Sequence, residues 1–241
     1  MHKGGKLIIT SETDLKQKDA DRELEMTVFK SNDLVQKARH QLTERELKLV
    51  DYMVSKIKPD DTKLEAIETS VNQINAVMGF GRGGNNVQST ANALVGLTNK
   101  GFWLKLDSGT ITTTRWLNRA TIEPDGRVTL EFDDVLTPYL IGLKKNYTRY
   151  SLGDIVALRG KYAVMLYQLA ASWFYVGGVH GTTEEFLEYF GKEGMPWWRF
   201  RTDYLRKAID EVNEKTAIKV HLATGKRGKK VSEVEFSFTA G

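Results

Sequence analysis

The chain has 241 residues, 41% hydrophobic and 27% charged, enough for a sizeable core and for two domains of ordinary size. The absence of cysteine excludes disulfides, thiolate catalysis and Cys-ligated zinc, and suits a reducing cytoplasm. No apolar run approaches the roughly 20 residues of a membrane span, and Met1 to Thr10 lack a signal peptide's apolar core, so a cytoplasmic protein with no membrane partner is expected.

Net charge is only +4, but it is unevenly spread. Between Arg199 and Lys230 there are ten Lys/Arg and four Asp/Glu, a local +6. Between Gly79 and Ala120 there are five Lys/Arg (Arg82, Lys100, Lys105, Arg115, Arg119) and a single acid, Asp107. Two basic regions in a nearly neutral chain suggest two contact surfaces for a polyanion.

In chain order, residues 1–27 are rich in charge and poor in apolar periodicity, and read as a flexible tail. A short helix is expected over Asn32–His40. Thr43 to Glu46 has the form of a capping box, and Leu47, Val50, Val54 and Ile57 recur at helical spacing, which predicts a helix over 43–57. A second helix is expected over Thr69–Phe80, then a glycine-rich turn, Gly79 to Gly84. A third follows over about Asn86–Lys100, with Gly101 behind it. Phe102–Leu106, Thr110–Ile122 and Arg127–Phe132 read as strands joined by tight turns. Helix, helix, turn, helix and β hairpin is the order of a winged helix.

The order then recurs. Lys161–Val176 is an amphipathic helix, and Thr182 to Glu185 is a second capping box opening a helix through Phe190. Gly191–Pro196 is a turn, and Thr202 is expected to cap a helix through about Lys215. Ala217–Leu222 and Val231–Phe238 alternate as strands around a basic loop, Thr224 to Lys230. The fold expected is α+β, two tandem winged-helix domains over 28–146 and 147–241.

A helix that enters the major groove needs one apolar face and one face free to reach base edges. In the third helix Val87, Ala91, Leu94 and Thr98 make the expected inward face. The outward face carries Gln88, Ser89, Asn92 and Gly96, with Asn85 and Asn86 at the approach and Arg82 and Arg119 as nearby cations. In the second unit Leu205, Ala208, Ile209 and Val212 point inward. The outward Asp203, Asp210 and Glu214 would repel phosphates, so contact is expected at the first turn: Arg199, Arg201, Thr202, Arg206 and Lys207. The wing cations Lys226, Arg227, Lys229 and Lys230 should grip phosphate, which positions the protein without reading sequence.

These segments resemble the initiator replication proteins of iteron-regulated plasmids. The resemblance rests on Lys30–Ala38 with Leu42–Glu46, on Leu136–Leu140 with Tyr147–Leu152, and on Tyr162–Tyr167 with Leu205–Asn213, and it runs from about Met26 to Phe238. The chain departs from the family at Ala217, where an acid is usual. The resemblance implies binding of repeated sites in double-stranded origin DNA, and monomers that open the origin. It also implies homodimers, paired through the first domain, that repress the protein's own gene, and recruitment of the host initiator and replicative helicase.

No catalytic residue, metal or cofactor is expected. A rolling-circle nicking enzyme would need clustered metal ligands, but His2, His40, His180 and His221 are isolated. The glycines at 79–84 lack the Gly-Lys-Ser/Thr of a phosphate loop. A double winged-helix transcriptional repressor remains compatible with the composition.

Overall fold

The computed structural model describes residues 19–58, 60–81, 83–105, 108–228 and 230–241, without the side chains of Lys105 and Lys230. The first half runs β1 (Thr27–Ser31), α1 (Asn32–Lys37), β2 (Ala38–Arg39), α2 (Glu44–Ser55), β3 (Ile67–Ser70), α3 (Val71–Val77), α4 (Gly84–Asn99), β4 (Gly101–Lys105), β5 (Ile111–Arg115), β6 (Leu117–Ile122) and β7 (Arg127–Phe132). The second half runs α5 (Thr137–Leu140), β8 (Tyr147–Ser151), α6 (Leu152–Ala157), α7 (Lys161–Trp173), β9 (Gly178–Thr182), α8 (Thr183–Tyr189), α9 (Trp197–Phe200), α10 (Arg206–Lys215), β10 (Ile218–Arg227) and β11 (Lys230–Ala240).

Both capping boxes form as local chemistry demands. Thr43 accepts from the Glu46 backbone N–H while the Glu46 carboxylate accepts from Thr43 N at 2.8 Å. Thr182 and Glu185 repeat the arrangement at 2.7 Å. The two halves then show the same winged-helix topology. Each has a helix (α2, α7), a short strand (β3, β9) whose last residue caps the next helix (α3, α8), an outward helix, and a hairpin. The sheet orders correspond, β3-β7-β6 and β9-β11-β10, with the first strand paired to the last in both.

Several elements differ from expectation. The first short helix stops at Lys37, because Ala38 and Arg39 pair with Leu104 and Trp103 as a strand. Ile67–Ser70 is a strand paired with Leu130–Arg127, so the second helix starts only after Ser70, whose hydroxyl accepts from Gln73 N at 3.1 Å. The expected strand Thr110–Ile122 is broken at Trp116. That indole is buried against Phe102 (ring centroids 4.7 Å apart), and its inward turn sends β5 and β6 into different sheets. The wing strands extend through most of the expected loop 224–230, leaving a turn at Gly228 with φ +66°.

The largest difference lies in the second outward helix. Thr202 does not cap it. The chain turns helical at Trp197, after Pro196, and stays helical to Lys215 through a π-helical turn, Arg201–Leu205. Trp197, Phe200, Leu205, Ala208 and Val212 are all buried. The five-residue step from Phe200 to Leu205 is what a wider π turn permits, and it keeps both residues on the core side.

Residues 1–18 of the expected tail lie outside the described residues. The remainder of that stretch is docked: Ala20 is buried, and Glu23 pairs with Lys56 at 2.6 Å and accepts from Gln73 at 3.1 Å. The halves are joined by β1, which pairs antiparallel with β8 from Thr27↔Ser151 to Ser31↔Tyr147. Beneath that ribbon Asp51 of α2 is fully buried. It is held by Lys30 Nζ at 2.5 Å, Tyr150 OH at 2.8 Å and Gln168 Nε2 at 2.7 Å. Burial, and then Asp51, raise the Tyr150 phenol well above its ordinary value.

Candidate nucleic-acid interface

In α4 the buried residues are Thr90, Ala93, Leu94 and Leu97. The core face is thus rotated from the one expected, because Thr90 turns inward and its hydroxyl donates to buried Asn75 Oδ1 at 2.5 Å. Val87 remains partly buried against the core, while Ala91 and Thr98 are partly buried on the side of α4 away from it. Gly96, expected outward, lies against α2, where a side chain would collide with the Glu46 carboxylate.

The exposed stripe of α4 carries Asn85, Gln88, Ser89, Asn92, Val95 and Asn99. It has no acid, and its hydrogen-bonding groups are lightly committed. Gln88 Nε2 donates to Asn92 Oδ1 at 2.9 Å, and Ser89 Oγ to Asn85 O at 2.7 Å, both along the surface. Asn86 is different. It is partly buried, and its amide oxygen accepts from Arg45 Nη2 at 3.3 Å. Arg82 lies outside the described residues. Arg119 projects from wing strand β6, exposed, with Glu131 Oε1 3.5 Å away. The turn of this first wing is not cationic: Arg127 is paired with Asp125 at 2.7 Å, and the Arg127 contacts hold the Asp125 carboxyl below its ordinary value.

The second helix presents Trp198, Arg199, Thr202, Asp203, Arg206, Lys207, Asp210 and Glu214 to solvent, with Arg201 partly buried. Because the helix begins at Trp197, its first outward turn is Trp198 and Arg199, and Arg206 lies near the middle. Arg199 contacts Asp203 at 3.4 Å. Arg206, Lys207, Lys226 and Arg227 form no ion pair among the described residues and are exposed. Lys229 lies outside the described residues, and Lys230 is placed only by its backbone, in β11.

The base of this helix is held firmly. Glu211 accepts from Arg159 N at 2.7 Å, Gly160 N at 3.1 Å and Lys215 Nζ at 2.7 Å, so it closes the start of α7. Burial alone would raise its carboxyl, but these three donors outweigh that and lower it. Asn213 exchanges two hydrogen bonds with Val220, at 2.6 and 3.0 Å, and so ties the helix end to the first wing strand.

Sequence alone assigns Arg45 no role and leaves two for Trp197 and Trp198, stacking on a sugar or packing in the core, with the core favoured for at least one ring. Trp198 is 68% exposed, unusual for so large an aromatic, while its neighbour Trp197 is buried. A Trp-Trp pair alone does not reveal which ring faces water; the start of the helix decides it. Among the described residues no three His, Asp or Glu converge as a metal site, and no helix is long and apolar enough to cross a membrane.

Two tandem winged helices, each with an outward helix and a hairpin wing, define the class of winged-helix DNA-binding proteins. Residues 27–171 match the family described as "Initiator Replication protein, WH1", and residues 182–238 match "Initiator Rep protein, WH2". The chain belongs to this family of plasmid replication initiators. It is 31% identical over 137 residues to the "PI protein" of Escherichia coli, an alignment that spans 47% of this chain and 44% of that protein's length. The crystal structure of Pi initiator protein in complex with iteron DNA has the same fold: TM-score 0.64, 18% identity, covering 90% of this chain and 98% of that one. Domains 2 and 3 of RctB are a more distant likeness, with TM-score 0.52 and 11% identity over 82% of this chain and 81% of that one.

Proposed function

We propose that this chain starts plasmid replication by binding repeated sites in the double-stranded DNA of its origin, one monomer per repeat. The observation that carries this is the doubling of one architecture in a single chain. Two helices with exposed, groove-sized faces, α4 and the helix from Trp197 to Lys215, each precede a hairpin wing. The reading takes 28–146 and 147–241 as the two gripping units. Asn85, Gln88, Ser89 and Asn92 reach base edges from the first, aided by Arg82 and Arg119. Arg199, Arg201, Thr202, Arg206 and Lys207 face the groove from the second, and Lys226, Arg227, Lys229 and Lys230 lie on phosphate. Neutral amides suit adenine's N6/N7 edge, and arginine suits guanine. That the similar Pi initiator was crystallised on iteron DNA supports the same class of target.

The protein acts by binding, opening the origin and recruiting the host initiator and helicase, with no bond-breaking chemistry of its own. It works in the cytoplasm. Dimers form through the first unit near Thr110–Asn118, where β5 is the last strand of its sheet and Ile111 is 61% exposed, and these dimers repress the gene. Footprinting on a single repeat, with hydroxyl radicals for the backbone and methylation of guanine N7 for the major groove, tests the binding mode. Two adjacent major-groove contacts on one face are expected. Protection of a single segment, unchanged by mutations in the second unit, would refute it. Supplied in trans, the protein should sustain a plasmid carrying only the origin; a mere repressor would not. Nicking of supercoiled origin DNA in Mg²⁺ would refute the non-catalytic part.

A further inference from the structure

Arg45 stands on the first turn of α2, where it looks like an ordinary solvated helix residue. Its surroundings are not ordinary. The guanidinium lies 3.9 Å from the centroid of the Phe80 ring, Nη1 donates to Thr90 Oγ1 at 2.8 Å, and Nη2 donates to Asn86 Oδ1 at 3.3 Å. Thr90 is in turn anchored on buried Asn75. The cation therefore has a fixed place and direction, unlike a lysine or arginine waving from a surface. It forms no ion pair among the described residues; the adjacent Glu44, which acts on it through space, is engaged with Lys48 at 3.0 Å. Two of its five N–H donors are accounted for by Thr90 and Asn86.

Its position relative to α4 follows from helical geometry. At about 100° per residue, Asn86 of the first turn of α4 lies about 60° from exposed Ser89, while fully buried Thr90 lies further round, on the core face. Gly96, on the same side, packs on Glu46, so α2 runs along this flank. Arg45, partly buried, thus reaches with Nη2 to Asn86, beside the exposed stripe at the first turn of α4, where a duplex backbone would pass if α4 entered a groove.

We propose that Arg45 is a phosphate-binding residue of the first unit, held ready by Phe80, Thr90 and Asn86, that fixes the register of α4 against one backbone phosphate of the repeat. This rests on the reading of the chain as a binder of repeated DNA. The role differs from that of the base-reading face, because the interaction would be charged, sequence-independent and tied to one phosphate. The ring and the two hydrogen bonds orient the guanidinium before binding, so little side-chain freedom is lost when the anion arrives.

The test couples a change in the protein to a change in the DNA. Binding of the full chain to a single repeat is measured by fluorescence anisotropy for wild type, Arg45→Gln and Arg45→Lys. Repeats with one phosphate at a time replaced by an uncharged methylphosphonate are included. Neutralising the phosphate that Arg45 grips removes one charge-assisted hydrogen bond and should weaken wild type about tenfold. Arg45→Gln should be insensitive at that position and as sensitive as wild type elsewhere. The slope of log K against log salt should fall in magnitude by about 0.9 for Arg45→Gln, and stay near wild type for Arg45→Lys. If Arg45→Gln weakens binding with the slope unchanged and no phosphate coupled to it, Arg45 only buttresses α4 and the proposal is overturned. If Arg45→Lys loses as much slope as Arg45→Gln, charge is not what matters and the proposal is overturned as well. Failure of wild type to prefer repeat over scrambled DNA would instead sink the functional reading on which it rests.

Discussion

Removing the Asp51 carboxylate should be among the most damaging single changes in this protein. Asp51→Ala would leave the Lys30 ammonium, whose side chain is 5% exposed, buried without its counter-charge. It would also strip the acceptor from Tyr150 OH and Gln168 Nε2. Breaking a buried ion pair by deleting one partner costs about 3–5 kcal/mol, mostly through the charge left behind. The total stability of such a domain is of order 5–15 kcal/mol. Replacing both charges by apolar groups avoids that penalty, so Lys30→Met with Asp51→Leu should cost far less than the sum of the single changes. Urea denaturation followed by tryptophan fluorescence measures this. The assay is favourable because Trp116 lies 5.5 Å from Lys30 in the first unit, while Trp197 is buried in the second. A loss below about 1 kcal/mol for Asp51→Ala would refute the argument, as would additive single changes. Because its ligands come from β1, β8 and α7, Asp51→Ala should also lower both units' unfolding midpoints together.

Further outcomes follow from other sites. The His40 imidazole is held down to about 3 by burial and then by Lys161 and Lys30, against an ordinary value of 6.5. Its neutral form therefore favours the fold fully above 6.5, and that contribution is lost as pH falls from 6.5 towards 3. Between pH 7.5 and pH 5, wild type should lose about 1–2 kcal/mol more than His40→Gln in urea titrations. Equal losses would show that the imidazole is free to take up a proton in the folded state. Glu211→Ala should cost about 1–2 kcal/mol by leaving Arg159 N and Gly160 N without their acceptor. Since the Glu211 carboxyl is lowered, its contribution is complete above the ordinary carboxylate range and fades as pH falls below it; a thermal shift unchanged from wild type at pH 7 would contradict this. In DNA binding, Arg206→Ala should weaken the native repeat far more than scrambled DNA, by about 1–3 kcal/mol of discrimination. Lys226→Ala and Arg227→Ala should weaken both DNAs alike and flatten the salt dependence. Anisotropy on the two DNAs at several salt concentrations would expose a reversal of these roles.

What the sequence determined by itself was whatever depends on neighbours a few residues away. The capping boxes at Thr43 and Thr182 formed because donor and acceptor are three residues apart in any helix start. The wing strands β10 and β11 were legible from alternation, which directs Val220, Val234, Phe236 and Phe238 to one face. The doubled order of elements followed from such local signals, and the segment resemblances pointed to the family. The tertiary structure decided what depends on partners far along the chain. Thr27–Ser31 is a strand only because Tyr147–Ser151 lies beside it. Lys30, Asp51, Tyr150 and Gln168 carry no mutual signal in sequence, yet share one buried site. Thr202 has the chemistry of a helix cap, but burying Trp197 and Phe200 starts the helix earlier and turns Thr202 into a surface residue of its second turn. Arg45 is marked out only when α4 brings Asn86 and Thr90 against it. Local hydrogen bonding is encoded within a few residues; the burial of large side chains and charges is a property of the whole packed chain, and here burial chose the face that α4 and the helix from Trp197 present to solvent.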